Sequence, residues 1–241
     1  MNELKSLNTR WYLDINSFAK HTPWAHGFMA FYAHFGGLAL LAILLLVAWW
    51  ISRSAGNPAL SVARVLWAAG GTVIAWVIAH FGMKPLFGEV RPYWVLQHVE
   101  VLVAKTHGYA FPSGHATIAG AVIAGIWITR KDVLAWVTAI AGLFLCFDRV
   151  YVGAHYPFDV VGGMLFGALF VWLLSVPGIS LLKWFDTLLM EHTPFAPLVT
   201  SHTERQAEGG YSYSGASSSH GGTSDGSSDA VRRAPEHEAP S

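Results

Sequence analysis

Five apolar stretches recur along the chain, at about residues 28–51, 62–83, 115–129, 133–147 and 159–176. The first two reach the roughly 20 residues needed to cross a hydrocarbon core about 30 Å thick. The other three are near or below that length, which predicts that their ends extend into the polar stretches beside them. Segments of this kind must be helices, because lipid offers no partner to an open strand edge. The pattern therefore predicts an all-α, polytopic membrane helical bundle of about five transmembrane helices.

Both ends of the chain depart from that pattern. In residues 1–27, Leu4, Leu7, Trp11, Ile15 and Phe18 recur at helical spacing, with Lys5, Arg10, Asp14 and Lys20 between them. This predicts an N-terminal amphipathic helix lying in the membrane interface, with Trp24 near the first span. The alternative is a helix packed on the end of the bundle. The segment lacks the basic, apolar and small-residue order of a removable signal peptide. Residues 200–241 are rich in Ser, Gly and His without an apolar period, so they are expected to be a disordered tail. His202, His220 and His237 are scattered along it and suggest no metal site. The expected organisation is an interfacial segment at 1–27, a membrane domain at 28–199 and a tail at 200–241.

Composition supports the membrane class: 53% of the 241 residues are hydrophobic, 11 are Trp and only 12% are charged. The formal net charge is zero, so bulk charge gives no reason to expect a nucleic-acid partner. The single cysteine, Cys146, lies inside an apolar run and reads as a small buried apolar residue. Arg53, Arg64, Arg130, Lys131 and Lys183 fall on one side of a five-span arrangement. The positive-inside rule makes that side, and the tail with it, cytoplasmic.

The remaining cations are concentrated in three polar stretches that fall on the opposite face. The first carries Lys84 and Arg91 around Pro85 and Pro92, a segment that prolines keep from being one continuous helix. Arginine offers a planar fork of donors matching two phosphate oxygens, and lysine adds a compact charge. Beside lipid such charges are costly without an anion, although either could instead be an interface anchor with its charge at the surface. The second stretch, Pro112-Ser113-Gly114-His115, opens an apolar helix. Gly114 permits close backbone approach at a helix start, where free amides favour an anion. Ser113 could cap that helix or donate its hydroxyl to phosphate. His115 could protonate a leaving oxygen. The third runs from Arg149 through His155 to Asp159, with Pro157 placed to open the fifth helix. His155 and Asp159 are four apart, so a carboxylate can hold one ring nitrogen while the other acts as a nucleophile toward phosphorus.

The pattern Lys84-x6-Arg91-Pro92, Pro112-Ser113-Gly114-His115 and Arg149-x5-His155-x3-Asp159 resembles the type 2 phosphatidic acid phosphatase (PAP2) superfamily, which also includes soluble vanadium haloperoxidases. The resemblance implies that His155 forms a phosphohistidine, Asp159 orients it, and His115 is the general acid. It implies that Lys84, Arg91, Arg149, Ser113 and the Gly114 amide hold the phosphoryl oxygens, with no metal or other cofactor. One departure is Asp148, where the family commonly has Ser before the arginine; Asp148 could pair with or tune Arg149.

Within the superfamily, Ile15-Asn16-Ser17-Phe18-Ala19 and Arg149-Val150-Tyr151-Val152-Gly153-Ala154-His155-Tyr156-Pro157 resemble bacterial undecaprenyl-diphosphate phosphatases of the bacitracin-resistance type. That implies removal of the terminal phosphate from a polyprenyl diphosphate at the outer face of the cell membrane. The alternatives keep the mechanism on phosphatidic acid, phosphatidylglycerophosphate or another prenyl phosphate. The oligomeric state stays open. Two readings of other classes remain. One is a haem-binding electron carrier using His34, His80, His115 and His155; the other is an inactive scaffold or transport protein built on the same bundle. The first leaves Lys84, Arg91 and Arg149 unexplained, and the intact His115, His155 and Asp159 weigh against the second.

Overall fold

The computed structural model describes residues 2–192, and the side chains of residues 3–184. The tail expected to be disordered lies outside the described residues. Among those described, every regular element is helical. Helix α1 (Asn2–Lys20) is followed by α2 (His26–Phe31) and α3 (Gly37–Ser52), which a π-helical turn at Tyr32–Gly36 joins into one stretch. Helix α4 (Pro58–Val77) continues through a second π turn, Ile78–Met83, into the short α5 (Lys84–Phe87). The short α6 (Pro92–Val95) precedes an irregular stretch that leads to α7 (Gly114–Ile128). Helices α8 (Asp132–Tyr151), α9 (Pro157–Leu173) and α10 (Ser175–His192) complete the order.

Three helical stretches are long and apolar enough to cross a membrane: Pro23–Ser52, Pro58–Val95 and Asp132–Tyr151. A fourth is reached if α9 and α10, bent by 52° at Leu174, count as one. Helix α7 is apolar but only 15 residues long. The shorter segments do extend into the polar stretches. Helix α8 runs on to Tyr151 and carries Arg149, α7 begins at Gly114, and α9 begins at Pro157, where a proline costs no hydrogen bond.

The core is formed by Leu41, Val65, Val122, Ile126 and Leu145, all nearly inaccessible. Large apolar side chains such as Leu46, Trp50, Val73, Ile140, Leu169 and Trp172 point outward, as lipid requires and water would penalise. Helices α7 and α9 form the most extensive pair. A Cβ on Gly120 would strike the Met164 carbonyl, and one on Gly167 would strike the Thr117 carbonyl. The backbones therefore meet through hydrogen-sized side chains, the usual means of close helix approach in lipid.

Helix α1 shows a face that the apolar stripe did not reveal. Leu4, Trp11 and Phe18 are exposed, whereas Asn8, Tyr12, Asn16 and Ala19 are buried against the bundle end. Asn16 acts as a surrogate peptide: its Nδ2 donates to Glu100 O and its Oδ1 accepts from Glu100 N, both at 2.8 Å. Tyr12 donates to Gly153 O at 3.3 Å, and Phe158 N donates to Asn8 Oδ1 at 3.0 Å. Lys20 donates to His98 O. Helix α1 thus fastens both the irregular stretch around Glu100 and the turn between α8 and α9.

Candidate active site

Chain turns bring the three polar stretches together. Gly88, at φ 61°, ends α5 and turns the chain toward Arg91, while the Ala110 amide donates to Glu89 O at 2.7 Å. Gly153, at φ 79°, makes the turn after α8; a side chain there would be strained and would strike the Glu100 carbonyl. The backbone of Ser113 donates to Asp159 O at 3.0 Å and joins the start of α7 to α9. Gly163 keeps that junction tight, since a Cβ there would lie 2.6 Å from Ser113 O.

These junctions surround a cavity of about 450 Å³ lined by Lys84, Arg91, Gly114, His115, Arg149 and His155, together with His34 and His80. All four histidines considered as haem ligands meet here beside three cations, a lining suited to an anion. Lys84 is buried, and its Nζ donates to Tyr109 O at 2.6 Å and Ala110 O at 3.3 Å. Arg91 Nε donates to Gly108 O at 2.9 Å. Its Nη1 lies 3.4 Å from Ala154 O and 3.5 Å from His155 Nε2. Arg149 Nη1 donates to Ala33 O at 3.0 Å, while its buried Nε has no partner among the described residues. Each cation is aimed by backbone carbonyls, so none is neutralised before an anion arrives.

His155 is 2% exposed, and its Nδ1 lies 3.5 Å from Asp159 Oδ2. Asp159 is fully buried and accepts from Tyr156 N at 2.9 Å through the same oxygen, which holds the carboxylate against the ring. Nε2 is left facing Arg91 and the cavity. Burial, reinforced by Arg149, Arg91, Lys84 and His115, pushes the His155 pKa well below its ordinary value. At neutral pH the ring is therefore uncharged and Nε2 carries a lone pair.

Two expected residues stand behind the cavity wall. Asp159 does so as a positioning group. Ser113 is fully buried, caps no amide of α7, and keeps an unpartnered Oγ next to the cavity residue Gly114. Gly114 packs against Trp76, whose indole nitrogen would be 3.3 Å from an added Cβ. Asp148 is buried with both oxygens unpartnered and forms no ion pair with Arg149. Consecutive residues on a helix point about 100° apart and do not face each other. His34, His80 and Trp76 were not read from the sequence as parts of this cavity. Its neighbour was also missed: an apolar groove of about 430 Å³ that shares Leu38 and Trp76 with it and continues along Leu45, Val73, Ile118 and Val122.

A family model described as PAP2 superfamily matches residues 64–177, which include all three polar stretches. The undecaprenyl-diphosphatase BcrC of Bacillus subtilis is 31% identical over 152 residues, 63% of this chain and 74% of that protein. An undecaprenyl-diphosphatase of Sulfolobus acidocaldarius is 31% identical over 96 residues, 40% of this chain and 46% of its own length. Among solved structures, Aquifex aeolicus LpxE superimposes with a TM-score of 0.54 at 23% identity, covering 71% of this chain and 95% of that one. That likeness concerns the fold.

Proposed function

Since the chain belongs to the PAP2 superfamily, we propose that this membrane phosphatase removes the terminal phosphate of a polyprenyl diphosphate, such as undecaprenyl diphosphate. One observation carries the reading: the cationic cavity holding His155 and His115 lies beside an apolar groove, with Leu38 and Trp76 lining both. A ligand fitting both is a phosphate ester with a long hydrocarbon tail. That two relatives are undecaprenyl-diphosphatases supports the choice of tail.

In the proposed mechanism, Lys84, Arg91 and Arg149 hold the terminal phosphoryl oxygens, with the Gly114 amide and the spare Ser113 hydroxyl nearby. His155 Nε2 attacks phosphorus, and the bond from phosphorus to the bridging oxygen breaks. The electron pair leaves with that oxygen, which takes a proton from His115, an imidazolium when the anionic substrate is bound beside it, and a polyprenyl monophosphate departs. Water then attacks the phosphohistidine and gives its proton to His115. The P–N bond breaks, its electron pair returns to Nε2, and inorganic phosphate leaves. Asp159 orients the ring through Nδ1 and stabilises the positive charge that it acquires.

With five passes, the cavity would lie at one membrane face, and α1 would lie in the interface there through Leu4, Trp11 and Phe18. Arg53, Arg64, Arg130, Lys131 and Lys183 then mark the cytoplasmic side, together with the C-terminal tail. The cavity would open on the extracytoplasmic face of the cell membrane.

The test is phosphate release by purified protein in detergent from undecaprenyl diphosphate and from phosphatidic acid, each with and without EDTA. The expected result is faster release from the prenyl diphosphate, unchanged by chelator, since a pocket lined by three cations suits an anion rather than a divalent metal. Preference for phosphatidic acid would keep the chemistry and replace the lipid. Loss of activity in EDTA would overturn the mechanism written here. In the same assay, Arg91→Lys is expected to lower kcat/KM about 10- to 100-fold, because an ammonium cannot reproduce the fork spanning Gly108 O, Ala154 O and the anion. Wild-type kinetics in this variant would remove Arg91 from the phosphate site.

A further inference from the structure

Two helices reach the cavity wall through the same device. Ala33-His34-Phe35-Gly36 and Ala79-His80-Phe81-Gly82 are identical tetrapeptides 46 positions apart (79 − 33 = 46). Each lies in a π-helical turn, Tyr32–Gly36 and Ile78–Met83, within an otherwise α-helical stretch. Such widened turns are rare and gather at functional sites. Each puts its histidine in the wall of the same cavity, and all four rings, His34, Phe35, His80 and Phe81, are exposed. His34 packs edge-on against Phe35, with ring centres 4.2 Å apart, and His80 stacks on Trp76 at 5.1 Å. Neither imidazole makes a hydrogen bond among the described residues. No step of the proposed mechanism uses them.

Their position along the helices is informative. Leu38, four residues after His34, and Trp76, four residues before His80, line both the polar cavity and the apolar groove. Each histidine stands about one turn nearer the His155 end of its helix than the residue that lines both spaces. The wall therefore carries three groups of residues: the three cations with His115 and His155, the pair His34 and His80, and Leu38 and Trp76, which also line the groove. A prenyl diphosphate has three matching parts: the phosphoryl group attacked, the phosphate retained, and the hydrocarbon.

We infer that His34 and His80 donate to the phosphate that stays with the lipid, and so select diphosphates over monophosphates of the same chain. The inference rests on the polyprenyl-diphosphatase reading and names the residues that would set it. A monophosphate would leave both imidazoles without an anion, while the attacked group would be held as before by Lys84, Arg91 and Arg149.

The experiment compares kcat/KM for undecaprenyl diphosphate and undecaprenyl monophosphate in wild type, His34→Ala, His80→Ala and the double variant. The quantity read is the ratio of the two constants. Each single change is expected to lower it about tenfold and the double change about a hundredfold, the worth of one and two donors to a charged oxygen. His34→Asn and His80→Asn, which keep a donor, recover part of the ratio and serve in place of any alanine variant that does not fold. Gly82→Ala, in the second π turn at a position where a Cβ meets nothing within 4 Å, leaves the ratio unchanged and separates a role of the imidazoles from a role of the turn. A ratio unmoved by the histidine changes, including equal losses on both substrates, overturns the inference. Wild-type protein that cleaves the monophosphate but not the diphosphate overturns the underlying reading, and the inference with it.

Discussion

Replacing His155 with alanine is expected to lower kcat by at least about 10⁴-fold while the bundle still folds, the scale seen when a nucleophile acting as part of a unit is removed. The side chain is 2% exposed, and its polar side-chain neighbours are Asp159 and Arg91, each at 3.5 Å. Its loss therefore removes chemistry more than packing. The thermal transition and elution volume in detergent should stay close to wild type, while phosphate release should fall to background. A phosphoryl label, stable in alkali and lost in acid, should be trapped on wild type and absent from the variant. Retained turnover with an intact bundle would eliminate His155 as nucleophile. The pH dependence offers an independent check. A pKa pushed well below the ordinary value leaves Nε2 unprotonated at neutral pH, with protonation setting in only as pH falls far below about 6.5. The acid limb of kcat/KM that reports His155 should accordingly lie well under that value. Arg149→Gln, which removes one of the charges depressing it, should move that limb upward.

Much of this site was legible in the sequence because cost makes it conspicuous. Lys84, Arg91 and Arg149 stand beside apolar runs, where an unpaired charge is penalised and must have a partner. Prolines and glycines mark the turns that gather them. Pro157 opens α9, and Gly88 and Gly153 adopt positive φ. Helix ends were likewise readable from chain length, since segments too short to span had to absorb the neighbouring polar residues, as α8 absorbs Arg149. What stayed hidden depends on tertiary contact. The buried face of α1 is a polar ladder, Asn8, Tyr12 and Asn16, at spacings of four. Its value appears only when Glu100, Gly153 and Phe158 supply the backbone partners. Apolar residues on the other face gave the stronger periodic signal and drew the reading toward the membrane. The two π turns were hidden for another reason: their residues are ordinary helix formers, and one extra residue per turn leaves no mark on hydropathy. The repeated tetrapeptide was the only trace they left. For Asp148, adjacency in sequence left pairing with Arg149 or tuning of it open, and helix geometry, which turns the two side chains apart, excludes the pairing.

Gly167→Val should be the most damaging change outside the cavity, costing more than about 3 kcal/mol of stability and abolishing activity together with the fold. The argument begins from what the new side chain meets. At Gly167 a Cβ would overlap the Thr117 carbonyl and approach the Ala121 amide at 3.0 Å, so the obstruction is backbone, which cannot rotate aside. Overpacking against a flexible side chain is relieved by a change of rotamer. Here relief requires α7 and α9 to separate along their length, loosening the Gly120–Met164 contact as well. Separation would also part the polar stretches around the cavity. Ser113, Gly114 and His115 start α7, while Asp159 lies in the first turn of α9 and holds His155. The Ser113 N to Asp159 O hydrogen bond, at 3.0 Å, would be among the first lost. The measurement is the thermal midpoint and phosphate release of the purified variant, with Gly70→Ala on α4 as the control. A Cβ at Gly70 meets nothing within 4 Å, and alanine favours helix, so that variant should match or slightly exceed wild-type stability. If Gly167→Val melts and turns over like wild type, backbone contact between α7 and α9 is not what holds the two polar stretches together.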